Sequence, residues 1–198
     1  LGDIFNLMVG SHEGYLEKYE ELFLMIRHAI SGSAEVHYVE GNHDFHLSKL
    51  FELYFGDSFN KSFFYHDRMM FLEDSHKKMM FCHGDDIEIE NKAYLIYRSF
   101  VKSFPMKFIA NNIFSYDFIK KLGGYGNRKS YERHVKYDES CTREAIKQKF
   151  RRSAEKVFLK ERAEIIVAGH SHVKDYYIDP SNKFEYINNG YAPSSRSF

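Results

Sequence analysis

The sequence predicts an α/β fold interrupted by a helical insertion, and three observations predict it. Val36-His37-Tyr38-Val39, Met79-Met80-Phe81-Cys82 and Ile165-Ile166-Val167-Ala168 are apolar runs with the length of a buried strand. A stretch with helical apolar spacing precedes the first run, which makes the alternation typical of an α/β sheet. Between the second and third runs, residues 88–162 read as helix almost throughout. At 198 residues the chain is long enough for one domain with a core and an insertion.

Taken in order, Gly2-Asp3 after a lone Leu1 reads as the end of a strand whose body precedes the chain, so an N-terminally truncated single domain over 1–198 is expected. Leu16, Tyr19, Phe23, Ile26 and Ile30 place one apolar face on a helix over 15–30, which Ser31-Gly32-Ser33 stops. A strand over 34–39 follows, parallel to the strand before it, and residues 46–55 form a short helix ended by Gly56. Strands are expected over 62–65, 69–72 and 78–82, parted by Asp67-Arg68 and Asp74-Ser75-His76.

The insertion begins with a helix over 89–103, and Pro105 suits the first turn of the next helix. Gly123-Gly124-Tyr125-Gly126 breaks the run, and a long basic helix over 138–162 is capped by Asp138. The sheet resumes at 164–168, and a hairpin turns at Asp179-Pro180-Ser181-Asn182.

Composition narrows the function classes. Two cysteines without metal-type or disulfide-type spacing suit a reducing compartment, and no apolar run has the length of a membrane span. A cytoplasmic protein is expected. The net charge of zero hides an asymmetry: residues 88–162 hold 18 of the 28 Lys and Arg but 9 of the 28 Asp and Glu, an excess of nine positive charges. An acidic body suits cation binding, whereas a basic insertion suits a phosphate-bearing partner, an anionic membrane surface or plain solvated helix faces. Regular base-reading motifs are absent, so nucleic acid is not expected as a partner.

Each apolar run delivers polar side chains at the same end. The first leads into Gly41-Asn42-His43-Asp44, the second into His83-Gly84-Asp85 and the third into Gly169-His170-Ser171-His172, with Gly2-Asp3 as a fourth member. Imidazole, carboxylate and amide oxygen gathered beyond the carboxyl ends of strands suit divalent metals with open positions for hydrolysis. Of the 11 histidines, His28, His37, His66, His76 and His134 carry no motif and read as surface or core residues, while His12 and His46 stay undecided.

This ordered set resembles the calcineurin-like metallophosphoesterases over the whole chain. The resemblance implies a four-layer, double-sheet α/β fold with an inserted helical lid at 88–162. It also implies two divalent metals, with Asp3 bridging them, Asn42, His83 and His170 completing one site, and His172 ligating the other. His43 is implied as the acid or stabiliser beside the phosphate, oriented by Asp44. The family's opening Asp-x-His, which supplies the other ligands of the second metal, has no counterpart before Asp3. Chemistry of this class uses water whose pKa falls from about 15.7 towards 7.

A closer resemblance is to the UDP-2,3-diacylglucosamine diphosphatase branch of that family, in the lipid A pathway. It rests on Leu1-Gly2-Asp3-Ile4-Phe5, on Gly41-Asn42-His43-Asp44-Phe45, and on Tyr94 and Tyr97-Arg98 after His83-Gly84-Asp85. The branch implies a nucleotide-sugar lipid substrate cut to UMP and 2,3-diacylglucosamine 1-phosphate, a lid over acyl chains and a peripheral place on the inner membrane. It favours manganese, while the ligand types also admit iron or zinc.

Asn91, Tyr94, Arg98, Asn127, Arg128, Lys129 and Ser130 are the expected substrate contacts. Departures exist: His43 stands where the best-known branch members have Arg, and Asn91 where the branch has Asp. Phe100, Phe104, Phe108, Phe114 and Phe118 could line the lid or form the insertion's own core. A general phosphoesterase, or a family member kept as an interaction scaffold, are the alternatives.

Overall fold

The computed structural model describes residues 1–74, 76–123 and 139–190. The strands are β1 (Met8–Val9), β2 (Val36–Val39), β3 (Asp44–Phe45), β4 (Phe63–His66), β5 (Met69–Glu73), β6 (Lys78–Cys82), β7 (Ile165–Ala168), β8 (Asp175–Ile178) and β9 (Glu185–Asn188). The helices are α1 (Gly14–Lys18), α2 (Glu20–Ser31), α3 (Ser48–Phe55), α4 (Lys92–Val101), α5 (Phe104–Asn112), α6 (116–123) and α7 (Glu139–Glu161). The fold is therefore mixed α/β with several sheets, as the sequence predicts.

The strands divide into an N-terminal and a C-terminal group. In the first, β1 pairs parallel with β3, and β2 pairs parallel with β4 in the register Val36 to Phe63. The second is one five-stranded sheet in the order β5-β6-β7-β9-β8, with β6, β7 and β9 parallel and an antiparallel strand at each edge. Parallel β6 and β7 end on the same side, so His83 and Gly169-His170 emerge side by side. The Gly169 N–H donates to the His83 carbonyl at 2.7 Å and locks the two loops together.

Each group has its own core. Phe23, Leu47, Leu50, Phe51, Phe55 and Phe63 are buried where α2 and α3 cover β2 and β4. The face that helical spacing identifies on residues 15–30 does turn inward, but the helix is two. It breaks at Tyr19 (φ −119°, ψ 28°), whose ring packs 4.5 Å from that of Phe5, and the bend lets Tyr15 and Phe23 both reach the core. In the C-terminal group, Ile146, Phe150, Ala154, Val157 and Phe158 form one stripe of α7 against Met80, Ile166, Phe184 and Tyr186. The C-terminal part of the 88–162 stretch thus packs on the five-stranded sheet.

The basic residues of α7 on this side have internal partners. Arg151 donates to both carboxylate oxygens of Asp175 (2.7 and 2.9 Å), Arg152 reaches Glu90 at 2.9 Å, and Lys149 pairs with Glu88. These three cations neutralise Asp175 of the body and two acids at the start of the insertion itself. The start of the insertion is tied down as firmly. Arg98 of α4 binds the wholly buried carboxylates of Asp85 and Asp86, Lys102 lies 3.8 Å from both Glu40 and Asp85, and His46 donates through Nε2 to the Val101 carbonyl at 2.9 Å. His46, undecided on sequence alone, is therefore a clamp on the end of α4. As expected, α5 starts with Pro in its first turn, where a missing N–H costs no helical bond.

Candidate metal centre

Four side chains converge where the two strand groups meet. His83 Nε2 lies 3.0 Å from Asn42 Oδ1, 3.1 Å from His170 Nδ1 and 3.3 Å from Asp3 Oδ2. Asp3, His83 and His170 each offer a ligand atom within 4.8 Å of the others. Asn42 and Asp3 come from the N-terminal group, and the two histidines come from β6 and β7 of the five-stranded sheet.

The neighbours of the histidines decide which nitrogen carries a proton. His83 Nδ1 faces the Leu1 carbonyl at 3.2 Å, and His170 Nε2 faces a Glu88 oxygen at 3.2 Å. Both partners only accept, so each of those nitrogens is the N–H donor, assigned from its acceptor. The opposite nitrogens then turn lone pairs towards each other and towards the oxygens of Asp3 and Asn42. Four electron-pair donors facing one point need a cation between them.

The mixed N and O set suits a divalent first-row metal, with outer partners fixing both imidazoles. Without a metal, a proton fills that need. Burial pushes the Asp3 carboxyl up, but its hydrogen bond and charge contact with His83, with help from His43, hold it down at about 2. Burial likewise lowers His83, yet Asp3, Asp85 and the Leu1 carbonyl outweigh it and raise it. A metal binding here competes with that proton.

The backbone explains why these side chains reach one place. Gly2 and Asp3 both have positive φ (56° and 51°), and His170 and His172 sit in the left-handed region at 62° and 58°. Asp44 holds the N-terminal loop: Oδ1 accepts from the N–H groups of Asp3 and Gly41 (2.8 and 2.7 Å), and Oδ2 accepts from Ile4 at 2.8 Å. Gly41 permits the close approach. A Cβ there would stand 2.2 Å from Asp3 Oδ1 and 2.7 Å from Asp44 Oδ1. Gly41→Ala is therefore expected to displace Asp3 and weaken Mn2+ binding by at least about tenfold, read by calorimetric titration.

Not every expected role has its expected contact. The orienting bond from Asp44 to His43 is replaced by two others. The carboxylate of Asp44 is spent on backbone amides, and the exposed His43 ring is held by Nδ1 donating to the Asn6 carbonyl at 2.8 Å. His43 also donates its backbone N–H to Asp3 Oδ1 at 2.8 Å, so it stays next to the cluster. His172 is exposed and lies outside the Asp3, His83 and His170 group.

Among the expected substrate contacts, Asn91 is the N-cap of α4, accepting from the Tyr94 N–H at 3.1 Å. Arg98 is committed to Asp85 and Asp86, because its mostly buried guanidinium is their nearest cation. Tyr94 stands beside the centre, its ring 5.6 Å from that of His170, and its hydroxyl is buried without a hydrogen-bond partner among the described residues. Burial, with the charge of Asp85, raises that hydroxyl's pKa, so it is a donor throughout the physiological range. Asn127, Arg128, Lys129 and Ser130, like the expected cap Asp138, lie outside the described residues.

Glu88 was missed by sequence reading. The acidic run Asp85-Asp86-Ile87-Glu88 directly after His83-Gly84 was its one available signal. The hydrogen bond from His170, opposed by burial and aided by Lys149, holds its carboxyl down at about 2, so it is an ionised acceptor.

A comparison with curated proteins finds no match. A family model described as calcineurin-like phosphoesterase matches residues 1–174, which include every strand that feeds the metal cluster. With a donor set that calls for a cation at the junction of two strand groups, the match establishes the family: this chain belongs to the calcineurin-like phosphoesterases.

Proposed function

We propose that this metal-dependent phosphoester hydrolase cleaves the pyrophosphate of a nucleotide-linked lipid, UDP-2,3-diacylglucosamine, giving UMP and 2,3-diacylglucosamine 1-phosphate in lipid A synthesis. The observation that carries the lipid part is a set of exposed apolar side chains on the helices that follow the metal centre's loop. In α4, Tyr94 lies beside His170 while Ile96 and Phe100 are exposed, and α5 and α6 add the exposed Phe104, Phe108 and Phe118. Ile96 is 73% exposed and Phe104 80%. Lys92, Lys107, Lys120 and Lys121 lie on the same helices. Acyl chains along the aromatic residues, and anionic headgroups beside the lysines, are the occupants that fit.

Such a protein works peripherally on the cytoplasmic side of the inner membrane; among the described residues no helix is long and apolar enough to cross one. A divalent cation at the cluster supplies activated water and neutralises phosphoryl charge. Two ions are proposed, with manganese favoured and iron or zinc compatible with the ligands. Asp3, Asn42, His83 and His170 hold the first ion, and Asp3 and His172 contribute to the second. His43, with Nδ1 fixed by Asn6, presents Nε2 to the leaving oxygen. Tyr94, whose ring stands beside His170, is placed next to the bound substrate.

The test compares kcat/KM for UDP-2,3-diacylglucosamine with that for bis-p-nitrophenyl phosphate in the presence of Mn2+. The lipid substrate is expected to be turned over at least about 100-fold better, since acyl burial in the transition state adds a few kcal/mol. Equal values would favour a general phosphoesterase. Metal binding with no hydrolysis of either would favour a scaffold.

A further inference from the structure

Glu88 stands at the meeting point of the metal centre and α7. Its side chain is nearly buried, with one oxygen 3.2 Å from His170 Nε2 and the other paired with the ammonium group of Lys149. His170 needs such support. Its backbone is left-handed at φ 62°, a conformation that non-glycine residues rarely adopt. Its ring is approached from the sides by Tyr94 (5.6 Å) and Phe150 (6.3 Å), contacts that fix no tautomer. Among the described residues, the Glu88 bond is what distinguishes the two ring nitrogens on the side away from the cluster.

We propose that Glu88, clamped by Lys149, is a positioning residue for the metal ligand His170, and that this pair makes the metal affinity depend on the seating of α7. Glu88 keeps the proton on Nε2, so that Nδ1 faces His83, Asp3 and Asn42 with its lone pair. Glu88 is not itself a ligand of that ion, because it meets the imidazole on the opposite nitrogen. Lys149 belongs to the helix that covers the five-stranded sheet through Phe150 and Ala154, so the seating of α7 sets the grip on Glu88. Arg152 on the same helix holds Glu90, which fixes the loop from its other end. The inference rests on the reading of the cluster as a metal centre.

Two measurements on the full chain test it. Calorimetric titration with Mn2+ is expected to show a loss of affinity of about 10–100-fold in Glu88→Ala, the range for removing an outer partner of a metal-bound histidine. Glu88→Gln, which keeps an oxygen for the His170 N–H, is expected to lose less. Lys149→Met is expected to shift affinity in the same direction and to add nothing in the double variant with Glu88→Ala.

Nitrogen-15 spectra of labelled histidines in the metal-free protein read the tautomer directly. His170 is expected to be Nε2-protonated in the wild type and a tautomer mixture in Glu88→Ala, with Glu88→Gln close to wild type. Unchanged affinity and an unchanged tautomer in Glu88→Ala, even with a lower melting temperature, would overturn the proposal and leave Glu88 as an anchor for α7. Wild-type protein that binds no Mn2+ would instead overturn the metal reading, and the tautomer spectra would still decide the role of Glu88.

Discussion

Replacing His83 with alanine is expected to abolish metal-dependent phosphoester hydrolysis. His83 is the hub of the cluster: one nitrogen is within 3.3 Å of Asn42, Asp3 and His170, and the other is held by the Leu1 carbonyl. Its removal takes away a ligand and leaves Asp3 without its nearest positive partner, so the acidic loop loses its reason to approach β6. The loss in kcat/KM with Mn2+ should exceed about 100-fold, the upper end of what an outer partner costs. His170→Ala should behave alike. Both variants should keep the wild-type circular dichroism spectrum, and activity within tenfold of wild type in either would refute the assignment of these ligands.

The second large effect is on stability. Asp85 and Asp86 are adjacent, their side chains are wholly buried, and Arg98 is the cation that touches both. Arg98→Ala leaves Asp86 with Arg68, whose side chain is 61% exposed, and Asp85 with Lys102 at 3.8 Å. Stripping one partner from a buried ion pair costs about 3–5 kcal/mol, a large share of the roughly 5–15 kcal/mol that holds a domain together.

The pH dependence has a definite sign. Burial first, and then the charge of Asp85, raises the pKa of Asp86 in the folded state. A carboxyl shifted upward binds its proton better folded than unfolded, so its contribution is present at low pH and is lost as pH rises through the folded value. Removing Arg98 raises Asp86 further, so the variant should be hurt more at pH 8 than at pH 5. Urea unfolding in EDTA at the two pH values checks this. A loss below about 1 kcal/mol at both would mean that solvent screens the pair.

Much of this site was legible in the sequence because short motifs at strand ends have few structural alternatives. Gly41-Asn42-His43-Asp44, His83-Gly84-Asp85 and Gly169-His170 each follow an apolar run, and parallel strands bring such ends together. The helical periods of residues 15–30 and of the insertion likewise show which faces are apolar.

What periodicity cannot show is where a side chain finds its partner. Asp44 looked like the support of its neighbour His43, but a carboxylate surrounded by the amides of Asp3, Ile4 and Gly41 is better satisfied there. Arg98 could not be assigned to Asp85 and Asp86 without the fold, because a helix-face arginine and a buried one have the same spacing. Glu88 escaped for the same reason: its partners, Lys149 and His170, are 61 and 82 residues away. The basic excess of 88–162 misled in one respect, since Lys149, Arg151 and Arg152 are held by Glu88, Asp175 and Glu90 and not offered to a partner.

The central claim is that Asp3, Asn42, His83 and His170 together hold a divalent metal. Anomalous scattering from crystals of the protein grown with Mn2+ tests it most directly. The account predicts a manganese peak within coordination distance of His83 Nε2, His170 Nδ1 and the side-chain oxygens of Asp3 and Asn42. Ordered density for all four side chains with no such peak between them, at saturating Mn2+, would contradict it.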